Sequence, residues 1–352
     1  MVLTRRAAAA AKEAAGGDVP APAPAPDPAG SADEPEPSAA GGAMILGGTA
    51  VGAGMLAMPL EAAEVWYTNA MGALLVCWLG MNLSARMILE SNLYFDRGAS
   101  FETFAPVLLN AAGRAANTLS VLFVHFILTY AYISGGGGTV ASSLAQATGG
   151  EVTLSPALAR VVFAGTLALA VVHGSHTVER LSTLMMLGMG ATFVLSMSGL
   201  LSSVSVANLL DSSGAEDAAV WGLPPVWRPL PSFLTAFGVH GNMPSMMKHY
   251  GKKPAVIVSA LNLGLGCAFA TYFTWLTVVL GVLGRPGLSA LAETGGADGL
   301  LEALGAQSAD PRLIASLQLF GNLALASSFL GVGLGLFDFV ADGLGSSNRP
   351  LV

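Results

Sequence analysis

Apolar stretches long enough to cross a lipid bilayer recur along this chain, near residues 43–62, 69–90, 118–146, 156–174, 181–204, 231–249, 254–284 and 312–342. About 20 helical residues span the hydrocarbon core. Lipid offers no partner to a bare amide or carbonyl, so a crossing segment must satisfy its own backbone, and a helix does this within itself. Eight such stretches in 352 residues describe an all-α membrane protein. Composition agrees: 53% of residues are apolar, only 11% are charged, and mean hydropathy is +0.64. A soluble domain carries about 25% charged residues, so lipid must cover most of this surface.

The ends of the chain differ from its middle. Residues 1–42 read as a disordered arm: the stretch from Ala21 to Pro37 alternates Ala, Pro and acids, and such a segment cannot bury enough apolar surface to fold. Arg5, Arg6 and the alanines around them resemble the start of an organelle transit peptide, whereas the acids from Asp18 onward argue against one. Residues 43–342 form the membrane domain, and 343–352 a short polar tail. The net charge of -7 gathers in the arm and around Asp211–Asp217 and Glu293–Glu302, with no basic stripe for nucleic acid. Cys77 and Cys267 lie inside apolar runs and suggest neither a disulfide framework nor a metal site. Basic residues near the span ends favour a cytoplasmic N-terminus: Arg86, Arg97, Arg114, Arg180, Lys248, Lys252, Lys253 and Arg349 then share the inner side.

Two of the spans are poor helices. The first carries Gly47, Gly48, Gly52 and Gly54, followed by Pro59. The sixth carries Gly238, His240, Gly241, Asn242 and Pro244 in mid-span. Glycine and proline both weaken a helix, and open backbone at bilayer depth survives only where protein or a water-filled cavity surrounds it. The breaks are five spans apart, so in an odd-numbered repeat the second copy enters from the opposite side. Interrupted helices at matching positions of two halves point to an inverted-repeat transporter. In such proteins half-helix N-termini hold anionic groups and freed carbonyls hold cations. The competing reading is that the glycines serve close helix packing.

The stretch Gly48-Thr49-Ala50-Val51-Gly52-Ala53-Gly54-Met55-Leu56-Ala57-Met58-Pro59-Leu60 resembles the signature of the aromatic amino acid permeases, the tyrosine- and tryptophan-specific carriers. Glu90, Ala131–Gly135, Phe237–Gly241, Pro244-Ser245, Leu323–Val332 and Gly335–Asp338 extend the resemblance over most of residues 44–342. It implies a LeuT-like inverted-repeat fold with broken first and sixth helices. It also implies secondary active uptake of an aromatic amino acid driven by protons, in a plasma membrane or a plastid inner envelope. Glu61 stands where the family has a small residue, and the acidic segment Asp211–Asp217 is extra. The family continues for about three further spans, so the resemblance reads this chain as truncated after the eighth. A transport-incompetent fragment, or a substrate-binding regulator of the same fold, is therefore the alternative. A sodium-coupled carrier of another neutral amino acid ranks below it.

The expected substrate site comprises Thr49, Gly52, Ala53 and Gly54 of the first span, Tyr130 and Tyr132 of the third, and Phe237, Gly238, His240 and Gly241 of the sixth. Ser327, Ser328, His240 and Asp338 are the candidates for the coupling ion, a proton or sodium. Each has a plainer reading. His240 can cap a freed carbonyl as a neutral ring, Ser327 and Ser328 can bond back to their own helix, the tyrosines can be packing, and Asp338 can snorkel at a helix end. Arg86 and Glu90, four residues apart, fit an ordinary helix ion pair. His125 and the pair His173/His176 have no partner set for a metal. Gly52-x-Gly54 and Gly135–Gly138 mimic nucleotide loops, but no strand precedes them and no Gly-Lys-Ser/Thr occurs. No enzymatic constellation lies within a span, and no cofactor is implied.

Overall fold

The computed structural model describes residues 38–95, 99, 101, 107–211, 227–294, 296–307 and 310–343. The arm up to residue 37, the polar tail after 343 and most of the acidic segment Asp211–Asp217 lie outside them. The first expected stretch forms α1 (Ala39–Ala50) and α2 (Gly54–Ala62), two helices bent by 52° at the glycines. The helix starts at Ala39, ahead of the expected Ala43, because the Ser38 hydroxyl accepts the Gly41 amide at 3.1 Å and caps it. There follow α3 (Trp66–Asn92), α4 (Ala111–Ala147), α5 (Pro156–Val172), α6 (Ser175–Leu201) and the short α7 (Val206–Leu209). The sixth stretch is again divided, into α8 (Leu230–Ala236) and α9 (Asn242–Tyr250). The chain continues through α10 (Pro254–Thr294), α11 (Gly296–Gly305) and α12 (Pro311–Gly343). Five of these, α3, α4, α6, α10 and α12, are long and apolar enough to cross a membrane, and the bent pair α1/α2 makes a sixth. The apolar α5, at 17 residues, is shorter.

The connection between the last two apolar stretches, from Arg285 to Pro311, is largely helical: α10 runs on through a kink at Gly284, and α11 follows it. Leu288, Leu300 and Leu304 are fully buried. The i, i+4 spacing of Leu300 and Leu304 gives α11 an apolar stripe, which packs against α2 and α12.

With no difference in hydrophobicity between lipid and a leucine surface, membrane helices associate through close backbone approach and polar contacts between helices. Both are present. The backbones of α1 and α10 nearly touch: a methyl built on Gly264 would stand 3.0 Å from the Ala43 carbonyl oxygen and 3.0 Å from the Gly47 nitrogen. In α4, Gly136 lies under the Phe163 ring of α5, with Gly135 against Leu325 and Gly137 against Arg160, so Gly135–Gly137 form a packing surface. Polar links join α3 to α10. The Trp78 indole donates to the Leu265 carbonyl at 3.0 Å, and Arg86 donates to Asn262 Oδ1 at 2.6 Å. The expected Arg86–Glu90 pair does not form among the described residues, because Asn262 draws the guanidinium across to the neighbouring helix.

Beyond the end of α2, Trp66 takes up φ 60°, a left-handed conformation that a bulky residue rarely adopts. Its indole donates to the Asn208 carbonyl at 2.8 Å, and the Arg285 guanidinium sits 4.4 Å above its ring. These contacts tie the α2–α3 turn to α7 and to the kink of α10.

Gly264→Leu is expected to lower the thermal stability of the purified protein by about 1–3 kcal/mol, because the atoms it meets are backbone and cannot yield. Gly266→Leu, on the same helix with nothing within 4 Å, is expected to leave the melting temperature unchanged.

Candidate substrate site

The first and sixth stretches break side by side. A methyl built on Gly54, at the start of α2, would stand 3.7 Å from the Ala236 Cα at the end of α8. A helix break frees carbonyls on one side and amides on the other, and three carbonyls at these breaks have a partner from a neighbouring span. Tyr272, fully buried on α10, directs its hydroxyl at both the Ala50 carbonyl, where α1 ends, and the Ala236 carbonyl, 2.9 Å away, where α8 ends. Pro59 has no N–H to offer the Met55 carbonyl one turn earlier, and the Trp275 indole donates to it instead at 2.8 Å. The Ala53 amide is taken by Ser328 Oγ of α12 at 3.2 Å. Neither α2 nor α9 has a side-chain cap at its N-terminus.

Gly52 is required for space. Its φ is not positive among the described residues, but a Cβ at this position would run into the Ser328 hydroxyl. Ser328, almost fully buried, also faces the Tyr132 hydroxyl of α4. Tyr132 packs with Phe163, Leu325 and Phe329, and Ala53 lies against this cluster. One turn below the first break, Thr49 donates to the Ile45 carbonyl at 2.8 Å and accepts from Asn242 Nδ2 at 2.8 Å, which joins α1 to the first residue of α9. A cavity of ≈ 50 Å³ opens beside this link, with Thr49, Ser182, Asn242, Ser245, His249 and Gly331 in its wall. Space of that size holds a few water molecules.

The structure therefore gathers Thr49, Gly52, Ala53, Gly54, Tyr132, Phe237 and Ser328 around the two breaks. Phe237 is fully buried against the Tyr272 ring, with centroids 5.0 Å apart. The other expected residues are not part of this group. Tyr130 is 67% exposed on the outer face of α4, since two residues along a helix turn a side chain well away from its neighbour's direction. Ser327 donates back to the Ala324 carbonyl at 3.1 Å. His240 points away from the first break, with its Nε2 2.7 Å from Ser84 Oγ on α3. Gly238 is exposed at the surface of the break. Gly241 caps the N-terminus of α9 and faces His125, and the side chain of Asp338 lies outside the described residues. Sequence reasoning missed Tyr272, Trp275 and Asn242. A hydrogen-bonding group in the middle of an apolar span was the available signal for the first two.

Two adjacent broken helices, with carbonyl ends tied to a third helix and amide ends uncapped by side chains, define a secondary transporter of the LeuT-like inverted-repeat class. Solved structures share the architecture. The nucleobase-cation-symport-1 family transporter MHP1, in a closed conformation with bromovinylhydantoin bound, superposes with a TM-score of 0.58 at 12% identity, covering 87% of this chain and 66% of that one. A Na+-coupled sialic acid symporter in an outward-open state gives 0.51 at 13% identity, with 89% and 67% covered. At these identities the likeness concerns the fold alone, and this chain spans about two-thirds of each structure's length.

Sequence comparison narrows the class. The chain belongs to the tryptophan/tyrosine permease family, whose model matches residues 35–351. It is 45% identical over 303 residues to a tryptophan-specific transport protein of Pseudomonas aeruginosa, covering 86% of this chain and 72% of that protein. It is 40% identical to a tryptophan-specific transport protein of Haemophilus influenzae (86% and 73% covered), and 33% identical to the tyrosine permease of Enterobacter agglomerans (86% and 72%). This is a family of integral, multi-pass membrane carriers and not of enzymes.

Tyr272→Phe leaves the Ala50 and Ala236 carbonyls without their donor. It is expected to cost about 1–3 kcal/mol of stability, the penalty for stranding a buried polar group. Tyr67→Phe removes a hydroxyl that, among the described residues, meets only Thr277 Oγ1, 3.1 Å away on the flank of α10. Thermal melts of the two proteins in detergent should differ by that amount.

Proposed function

We propose that this chain carries tryptophan across the plasma membrane by proton symport, with the amino acid's carboxylate held at the uncapped N-termini of α2 and α9. The observation that carries the reading is the meeting of the two breaks at Tyr272. It gives the membrane interior two helix N-termini, whose positive dipole ends favour an anionic group. Phe237 and Tyr132 supply aromatic surface next to them for a large flat side chain.

Tryptophan is favoured over tyrosine because the relatives at 45% and 40% identity are named tryptophan-specific, and the tyrosine permease is more distant at 33%. The relatives reported are bacterial, which favours the plasma membrane over a plastid envelope. Proton coupling is favoured over sodium by the engagement of the groups that would hold a cation. The Ala50 carbonyl is occupied by Tyr272, and the Ser328 oxygen by the Ala53 amide.

The test is uptake of radiolabelled tryptophan, tyrosine and phenylalanine into vesicles under an imposed pH gradient or an imposed sodium gradient. Tryptophan is expected to accumulate with the pH gradient and to ignore the sodium gradient. Accumulation driven only by sodium, or no accumulation of any of the three, would overturn the reading. Gly52→Ala drives a methyl into Ser328 and is expected to reduce tryptophan uptake by about tenfold or more. Gly72→Ala, with nothing within 4 Å, should transport as the parent does.

A further inference from the structure

The third span carries a histidine that the site described above does not use. His125 lies on α4, half-buried, and its Nδ1 is 2.8 Å from the Val121 carbonyl oxygen. A carbonyl can only accept, so Nδ1 carries the hydrogen. In the neutral ring Nε2 is then a bare lone pair, and among the described residues it has no hydrogen-bond partner. It points into a slot between two other spans. A methyl on Gly241 would stand 3.3 Å from Nε2, and a methyl on Gly335 of α12 would stand 3.1 Å from it. The Asn242 side-chain oxygen borders the same slot, 3.8 Å from the Gly335 position. Asn242 in turn donates to Thr49, which links the wall of this slot to the first break.

The face of α4 that carries His125 is polar along its length. Asn117, Val121, His125 and Thr129 recur at four-residue intervals, with Tyr132 three further on, and such spacing aligns side chains on one side of a helix. Asn117 Nδ2 and Thr129 Oγ1 are both buried with no partner. Buried polar atoms of that kind are costly in a membrane and mark paths for water, ions or protons. The opposite face of the helix, with Leu119, Phe123, Phe126 and Tyr130 exposed, is apolar.

We propose that His125 accepts the transported proton on Nε2. This rests on the proton-symport reading. The proton enters along the polar face of α4, binds the Nε2 lone pair and leaves from it unchanged on the other side of the membrane, while Nδ1–H stays on the Val121 carbonyl. Protonated, the ring can donate toward the Asn242 oxygen. Its positive charge then lies against the N-terminus of α9, where the helix dipole opposes it. A substrate carboxylate at that same N-terminus relieves the opposition. Proton and amino acid therefore favour each other's binding, and the coupling is reciprocal.

The described groups facing Nε2 are uncharged: Gly241, Asn242 and Gly335. Ionisable residues on the elements around this part of α4 are Arg160 and His173 on α5, Lys248 and His249 on α9, Asp338 and Asp342 on α12, and Arg114 on α4 itself. Arg160 packs against Gly137, three turns away, and His173 is exposed with its Nδ1 on the Leu169 carbonyl. Asp338 follows Gly335 by one turn and is the competing candidate.

The experiment uses the full chain in liposomes and compares tryptophan counterflow, which needs no gradient, with accumulation under a pH gradient. His125→Gln is expected to keep counterflow but to lose gradient-driven accumulation by about tenfold or more, and to bind tryptophan with an affinity that no longer follows pH. His173→Gln should behave as the parent. Accumulation by His125→Gln equal to the parent's, or loss in Asp338→Asn alone, overturns the assignment and leaves proton symport standing. A parent chain that exchanges tryptophan but ignores the pH gradient removes the proton reading and the assignment with it. If His125→Gln also fails in counterflow, ring-nitrogen NMR of the 15N-histidine-labelled parent decides. Tryptophan should move the His125 signal toward the doubly protonated form, and an unmoved signal overturns the assignment.

Discussion

One hydroxyl makes the broken helices of this protein tolerable in lipid. A carbonyl exposed at bilayer depth costs several kcal/mol when it meets neither water nor protein, and a helix break exposes several at once. Tyr272 reaches the freed carbonyls of both breaks, at Ala50 and Ala236, from a third helix that remains intact. Its single hydrogen cannot serve both fully at the same time. The hydroxyl is thus shared between the two half-helices and holds the breaks in register.

The same economy recurs wherever the first stretch departs from a regular helix. Pro59 removes the donor for the Met55 carbonyl, and Trp275, one turn beyond Tyr272 on α10, replaces it. The Ala53 amide goes to Ser328, which is possible only because Gly52 leaves room for that hydroxyl. The freed amides at the N-termini of α2 and α9 are not closed by side-chain caps. The amides that open these two helices close local turns instead, Met55 and Leu56 on the Gly52 and Ala53 carbonyls, and Asn242 and Met243 on the Val239 and His240 carbonyls.

Much of this was legible in the residues. The eight apolar stretches all appear as helices, and both breaks fall at the glycines that mark them, because period-free apolar runs and Gly/Pro clusters act locally on the backbone. What was not legible was direction. Tyr130 and Tyr132 look equivalent in a list of mid-span tyrosines, yet a two-residue step around the helix puts one outside and the other against Ser328. His240 sits inside a break and still turns to Ser84 on α3. The apparent loop after Arg285 is helical because Leu288, Leu300 and Leu304 find a surface to bury against, which no local propensity announces.

From the sequence alone follow the membrane, the helices, the two interruptions and the resemblance to the aromatic amino acid carriers. The first three depend on composition or on spacing within one segment, and the resemblance on motifs ordered along most of the chain. Only the tertiary structure decided which groups answer the freed backbone: Tyr272, Trp275 and Ser328 lie far along the chain from the atoms they satisfy. The tertiary structure also decided that His125, rather than His240, faces the glycine slot between α9 and α12. Such pairings are set by how whole helices cross, and helix crossing is fixed by close packing at residues such as Gly47 and Gly264, not by any motif the paired residues themselves carry.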